Sequence, residues 1–194
     1  MLFRSRSPDG EITVKYMNET ASMDLIKQDD IRGIWLPYVD ASFGFFAILP
    51  DEDTDVRDWI ATLDSGELSA LIDARQSASV ALSLPKFEVS YEDSLINELA
   101  KLGMGVAFSG AADFSRMNAE GISDLFISEV KHKTFCRVDE KGTEAAAVTS
   151  VEMRLTSMPV SDEILSFDRP FLYGIMDTRT GVPLFLGIME APEA

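Results

Sequence analysis

The chain has 194 residues, 46% of them apolar and 26% charged, a composition typical of a globular protein with one sizeable core. Its formal net charge of −16 argues against partners such as nucleic acid or an anionic membrane surface, because both bind basic side chains. The single cysteine, Cys136, excludes an internal disulfide framework.

Alternating apolar residues predict a strand at 12–16, and the residues on either side of a turn-like segment, 40–42, predict strands at 31–39 and 43–49. Apolar residues spaced by three and four then predict two short helices, over 55–63 and 67–75. Further alternation predicts strands at 80–84 and 125–138, and two more strands are predicted at 171–176 and 184–189. This order of elements predicts an α+β fold made mostly of antiparallel sheet, with no internal repeat, linker or domain boundary.

The clearest helical pattern runs over 92–102. Leu95, Ile96, Leu99 and Leu102 share one face there, and Gly103 follows as a stop signal. We therefore expect a single helix between two strands.

The predicted strand 125–138 places its charged residues on one face. The other face carries Val130, His132, Thr134, Cys136 and Val138. We expect His132, the only histidine, to point inward and to need a hydrogen-bond partner, and Cys136 to be a small buried hydrophobe.

Residues 143–154 are small and admit three interpretations. In strand register Thr143, Ala145, Ala147 and Thr149 share one face, and the charges Glu144, Glu152 and Arg154 fall on the other. A short Ala-rich surface helix and an exposed loop are the alternatives. The composition also fits a segment that is exposed in one state and inserted into a sheet in another.

The segment "HKTFCRVDEKGTEAAAVTS" resembles the last strand and hinge of the reactive loop in serpins, the serine protease inhibitors. Four other segments are similar to the family in the same order, namely "SASVALSLPKF", "GMGVAFSGAADFS", "FDRPFLYGIMD" and "GVPLFLGIMEAP". The resemblance implies a serpin-like α+β fold with a few short helices and a reactive loop at about 140–160. It also implies that residues 1–194 are the C-terminal portion of a single serpin domain, without a counterpart of the N-terminal half.

Several residues match functional positions of the family. The loop hinge would comprise Glu140, Lys141, Gly142, Thr143, Glu144, Ala145, Ala146 and Ala147. The family's count from Gly142 places the reactive bond at Thr156–Ser157, while Arg154 offers a trypsin-like alternative. Lys86 matches the partner of Glu140, and His132 matches a histidine in the region where the sheet opens, so both are implied to belong to the structural switch.

The implied function is inhibition of serine-type endopeptidases by suicide cleavage of the reactive loop and insertion of that loop into a sheet. Because Thr156 is small, the implied partner is a serine protease of the elastase type. No nucleophile with its base is visible in the sequence, so we expect neither an enzyme nor a cofactor or metal site. The alternative is a truncated, non-inhibitory fragment that pairs strands with another chain or self-associates through an exposed sheet edge. The family resemblance implies an extracellular protein, although no signal peptide is evident.

Overall fold

The structure is a computed structural model that describes residues 2–4, 10–117, 121, 125–140, 142–143 and 161–192. Within these residues the strands are β1 Leu2–Arg4, β2 Glu11–Thr13, β3 Tyr16–Gln28, β4 Ile31–Pro37, β5 Phe43–Leu49, β6 Gln76–Pro85, β7 Phe87–Ser94, β8 Lys131–Asp139, β9 Gly142–Thr143, β10 Glu163–Ser166, β11 Phe171–Asp177 and β12 Pro183–Met189. The α-helices are α1 Val56–Thr62, α2 Ser65–Asp73 and α3 Ile96–Leu99. No helix among the described residues is long and apolar enough to cross a membrane.

Seven strands form the largest sheet, in the order β10-β6-β3-β4-β5-β11-β12. The described strand pairings in this sheet are antiparallel, except that of β10 with β6, which is parallel. A second sheet has the order β7-β8-β9, and β1 pairs with β2. The predicted α+β class with mostly antiparallel sheet is therefore confirmed.

The core of the large sheet is the layer between its central strands and helix α2. Phe46 and Ile48 on β5 are fully buried and pack in one cluster with Leu172 on β11 and Leu71 and Ile72 on α2. The strands contribute alternate residues and the helix contributes residues three and four apart, so each periodicity turns one apolar side toward this layer. Burial of these side chains is the main source of stability.

Glycine permits a close approach of side chains in this core. A Cβ atom on Gly44 would lie 2.0 Å from the Trp35 ring. On Gly174 it would lie 2.5 Å from both the Phe185 carbonyl oxygen and the Phe46 ring. The aromatic side chains therefore occupy the space that a larger residue at either position would need.

The two predicted short helices are present, with small shifts at their ends. Asp55 caps α1 by accepting hydrogen bonds from the backbone amides of Arg57 and Asp58. Asp64 caps α2 and exchanges hydrogen bonds with Glu67, so this helix begins at Ser65, before the predicted start.

The predicted helix over 92–102 is wrong at its N-terminal end, because residues up to Ser94 continue strand β7 and the α-helix begins at Ile96. The predicted stop at Gly103 is confirmed, since its φ of 99° kinks the chain there. Leu102, expected on the apolar face, is 80% exposed. The apolar residues have helical spacing, but residue 92 belongs to strand β7. There the Glu92 carboxylate forms an ion pair with Lys133 on β8.

The predicted strand 125–138 is shorter than expected and displaced, because β8 begins at Lys131 and ends at Asp139. The strand predicted at 12–16 overlaps β2 and the first residue of β3, while the rest of β3 and the strands β7 and β10 were not predicted. The strand predicted at 43–49 is present with the predicted ends, and those at 31–39, 80–84, 171–176 and 184–189 are present with shifted ends.

The chain divides into two compact units, residues 1–88 with 137–194, and residues 89–136. The first unit contains the seven-stranded sheet. Within the second, backbone hydrogen bonds join Leu95 to Val130 and Ile127 to Ala107, both at 3.0 Å.

Replacing Phe46 by Ala should lower the free energy of unfolding by about 3–5 kcal/mol, because it removes a fully buried ring and leaves a cavity. Ile164→Ala is the matched control, since Ile164 is 81% exposed and should change stability by less than about 0.5 kcal/mol. Urea unfolding followed by circular dichroism at one fixed chain concentration measures both. Equal midpoints for the two variants would contradict this account of the core.

Candidate functional site

The end of strand β8 turns back on itself at the predicted loop hinge. Val138 pairs with Thr143 and Asp139 pairs with Gly142, both antiparallel. The turn between them begins at Glu140, and Gly142 has a φ of 106°, a conformation that glycine adopts without steric cost. The hinge therefore begins a new strand beside β8.

An ion pair joins this turn to the strand on the other side of β8. The ammonium of Lys86 contacts the carboxylate of Glu140, as expected from the resemblance. Lys86 lies between β6 and β7, and its backbone amide donates to the Lys15 carbonyl at 2.8 Å. The hydrogen bond from Lys86 lowers the pKa of Glu140 below its ordinary value. The base of the hinge is thus connected through Lys86 to the start of β7, as well as directly to β8.

A second ion pair lies next to the first along the same two strands. The Arg137 guanidinium on β8 donates to Glu88 on β7 at 2.9 Å. The sequence analysis missed this pair, although cross-strand charges at the hinge-proximal ends of β7 and β8 are a usable signal once the pairing is known.

The apolar face of β8 is buried at its hinge end. Val138 is 4% exposed and Cys136 is 8% exposed, as predicted. Burial raises the pKa of the Cys136 thiol, so it is protonated at neutral pH and is a poor nucleophile.

The prediction that His132 points into a buried environment is wrong. His132 shares the alternation of Cys136 and Val138, but its side chain is exposed in this chain. Alternation along a strand assigns a residue to a face, whereas burial depends on what covers that part of the face. Its role in a structural switch stays a prediction.

The other end of the loop region is anchored by strand β10. Glu163 to Ser166 pair in parallel with Val80 to Ser83 on β6. The Lys27 ammonium on β3 contacts the Glu163 carboxylate at 2.6 Å. Nothing in the sequence pointed to this contact, since the two residues are 136 positions apart.

Several predicted site residues lie outside the described residues. They are Lys141, Glu144, Ala145, Ala146, Ala147, Arg154, Thr156 and Ser157. Only the backbone of Thr143 is described. Of the residues 143–154, the structure therefore decides among strand, helix and loop only for Thr143. This residue is in a strand.

The described residues contain no group of three or more His, Cys, Asp or Glu side chains that could hold a metal ion. One cleft of about 340 Å³ is lined by residues that include Arg4, Glu52 and Arg169. Its cations are bound by neighbouring carboxylates, since the Arg4 guanidinium lies 3.5 Å from Glu52 and 3.6 Å from Asp168. The charged residues of this cleft thus form ion pairs with one another and with Asp168. Its lining residues include no serine, cysteine or histidine.

Comparison of this chain with known proteins agrees with its fold and with the glycine hinge at the end of β8. The family model described as "Serpin (serine protease inhibitor)" matches residues 3–192. Serpin-ZXA of Oryza sativa is 31% identical over 97% of this chain and 51% of its own length. The leukocyte elastase inhibitor of Xenopus laevis is 34% identical over 93% of this chain and 48% of its own length.

A solved structure agrees with these matches. The chain is similar to the thermophilic serpin tengpin in the native state, with a TM-score of 0.82 and 36% identity over 98% of this chain and 49% of that one. The chain therefore belongs to the serpin family. It spans about half the length of the curated relatives it matches.

The Lys86–Glu140 ion pair should be visible in the titration of Glu140. Its carboxyl should titrate below the ordinary value of 4.5, because the charged form is stabilised by Lys86. A group with a lowered folded-state pKa contributes stability above its unfolded pKa, and this contribution is lost as the pH falls through the folded pKa.

Lys86→Gln should raise this pKa to the ordinary range, which ¹³C NMR of the labelled carboxyl measures directly. Lys133→Gln is the control, because the Lys133 ammonium binds Glu92 instead. A Glu140 titration midpoint that is identical in the wild type and in Lys86→Gln would show that the pair does not form in solution.

Proposed function

We propose that this chain is the C-terminal portion of an inhibitor of serine-type endopeptidases, which acts through a reactive loop at about 140–160. The observation that carries the proposal is the antiparallel pairing of Gly142 and Thr143 with Asp139 and Val138. This pairing supports the proposal, because a strand that begins at Gly142 could extend further along β8.

The register of this pairing predicts how such a strand would continue. Each further residue of the loop would pair one residue earlier on β8, so that Ala145 would lie opposite Cys136 and Ala147 opposite Thr134. Directly opposite residues of an antiparallel pair point to the same face. Thr143, Ala145 and Ala147 would therefore join the buried face of Cys136 and Val138, where small side chains cost little sterically.

β8 has an edge available for this strand. Among the described residues its pairing with β9 involves only Val138 and Asp139. The rest of β8, from Lys131 to Arg137, has no described strand on that side. An unpaired edge of this kind is a template for strand addition.

The size of the change is sufficient for inhibition. Residues 143–156 in extended form span roughly 45 Å, so a protease attached at Thr156 would be moved across a whole domain. A net gain of about 1 kcal/mol for each new hydrogen bond gives on the order of 10 kcal/mol, which is comparable to the stability of a typical protease domain. Serpin loop insertion is a known strain-releasing switch of this type.

The proposed target is an elastase-like protease, because the side chain of Thr156 suits a small primary pocket. The protease would supply the attacking serine, and this chain would supply the scissile carbonyl of Thr156. A relative named as a leukocyte elastase inhibitor supports the choice of target.

Digestion of the chain with elastase should produce a first cut at Thr156–Ser157, identified by the masses of the two fragments. The site of cleavage can be tested with the chain as it is, since cleavage requires only an accessible loop. First cuts confined to Arg154–Leu155 would contradict the assignment.

In the complete inhibitor, Thr143→Arg should convert inhibition into simple cleavage. A guanidinium on the inserted face would be buried without a partner, which costs several kcal/mol. Glu144→Arg is the matched control, because residue 144 would lie on the opposite face and stay in solvent. The yield of SDS-resistant complex with elastase should fall at least tenfold for Thr143→Arg and stay near wild type for Glu144→Arg; equal yields would count against insertion.

The second candidate function is a non-inhibitory strand-pairing module. The observation that favours it is the apolar surface of β12, where Leu184 and Leu186 are 54% and 53% exposed. Exposed apolar strands at a sheet edge promote association with another chain. Light scattering after size-exclusion chromatography decides between oligomers, which this candidate requires, and a monomer, which would exclude self-association.

A further inference from the structure

Strand β10 is a weakly held element by its backbone alone. It has four residues, lies at the edge of the seven-stranded sheet and, among the strands that the structure describes, pairs with β6 alone. The pairing is parallel, which is less stable per residue than antiparallel pairing. Side chains must therefore contribute to holding it in place.

The downstream end of β10 is firmly packed. Phe167 is fully buried, and its ring lies 5.0 Å from that of Phe171. Its amide donates to the Ser83 carbonyl at 2.9 Å, and its carbonyl accepts from the Tyr16 hydroxyl at 3.0 Å. This end of the strand is fixed independently of any charge.

At the upstream end, which follows the loop region, the described residues make no comparable apolar contact. Ile164 is 81% exposed, and the Asp162 amide donates to the Ser79 carbonyl at 3.0 Å. The side-chain contact at this end is the ion pair from Glu163 to Lys27.

The surroundings of Glu163 favour its charged form. Lys27 on β3 is paired in register with Arg32 on β4, so two cations lie opposite each other. A carboxylate beside them offsets their repulsion. The hydrogen bond from Lys27, with smaller contributions from the charges of Lys27 and Arg32, lowers the pKa of Glu163.

We propose that Glu163, held by Lys27, is the positioning residue that fastens the downstream base of the reactive loop to the sheet. Its loss frees the upstream end of β10 from β6, while the Phe167 end stays in place. The assignment of the loop as reactive rests on the proposed function, but the fastening of β10 does not.

Amide hydrogen exchange measured by NMR on the full chain tests the fastening without any protease. In Glu163→Gln, the Asp162 amide should exchange about two- to fivefold faster than in the wild type, the range expected for loss of a largely exposed ion pair. The Phe167 amide should exchange at an unchanged rate. Lys27→Met should reproduce the effect, and the reversed pair Lys27→Glu with Glu163→Lys should restore slow exchange.

Glu19→Gln is the matched control, since it removes the same charge from an exposed position on β3 that has no ion pair among the described residues. It should leave the Asp162 amide unchanged. Salt at about 1 M should reduce the difference between wild type and Glu163→Gln, because it screens exposed charges.

An unchanged Asp162 rate in both single variants overturns the proposal. Equal acceleration of Asp162 and Phe167 also overturns it, since that result means general loosening of the sheet. If Asp162 responds as expected but the chain proves not to be an inhibitor, the fastening stands and only the proposed function fails.

Discussion

The proposed insertion of the loop depends on one strand register, the antiparallel pairing of Val138 with Thr143 and Asp139 with Gly142. This pairing determines which face of residues 143–149 could enter the sheet and which residues of β8 they would meet. The Lys86–Glu140 ion pair supports it from the side of β7. The chemistry proposed for the loop requires no catalytic group from this chain, because the protease supplies the nucleophile and the inhibitor supplies geometry.

The two ends of the loop region are held by different means. The upstream end continues from β8 through a glycine turn, and its first residues already form a strand. The downstream end begins in a short parallel edge strand whose upstream half has an ion pair to Lys27 and whose downstream half has the buried Phe167. In the proposed mechanism, the loop would extend a strand at its upstream end while its downstream end stays in place.

Much of the fold could be predicted from the sequence where apolar runs were continuous, as in β5 and β11, whose residues are mostly buried. Strand β3 was underestimated because Asn18, Glu19 and Thr20 are exposed, and its pairing with β6 is made by the backbone. The helix predicted at 92–102 starts too early, because apolar spacing alone does not show that residues 92–94 belong to a strand. The predicted burial of His132 was wrong, because periodicity assigns a residue to a face of the strand but does not show whether other residues pack over that face. The hinge and Lys86 came from the family resemblance, and the Lys27–Glu163 contact had no sequence signal.

The most direct test of the central claim uses the native Cys136 as a probe of register. Continuation of the observed pairing places residue 145 opposite Cys136 on the same face. After cleavage of the loop in the complete inhibitor, mild oxidation of Ala145→Cys should form a Cys136 disulfide in most of the molecules, because the two Cβ atoms come within bonding reach. Ala146→Cys, on the opposite face, should form none. A disulfide at 146 equal to that at 145, or none at either position, would contradict insertion in this register.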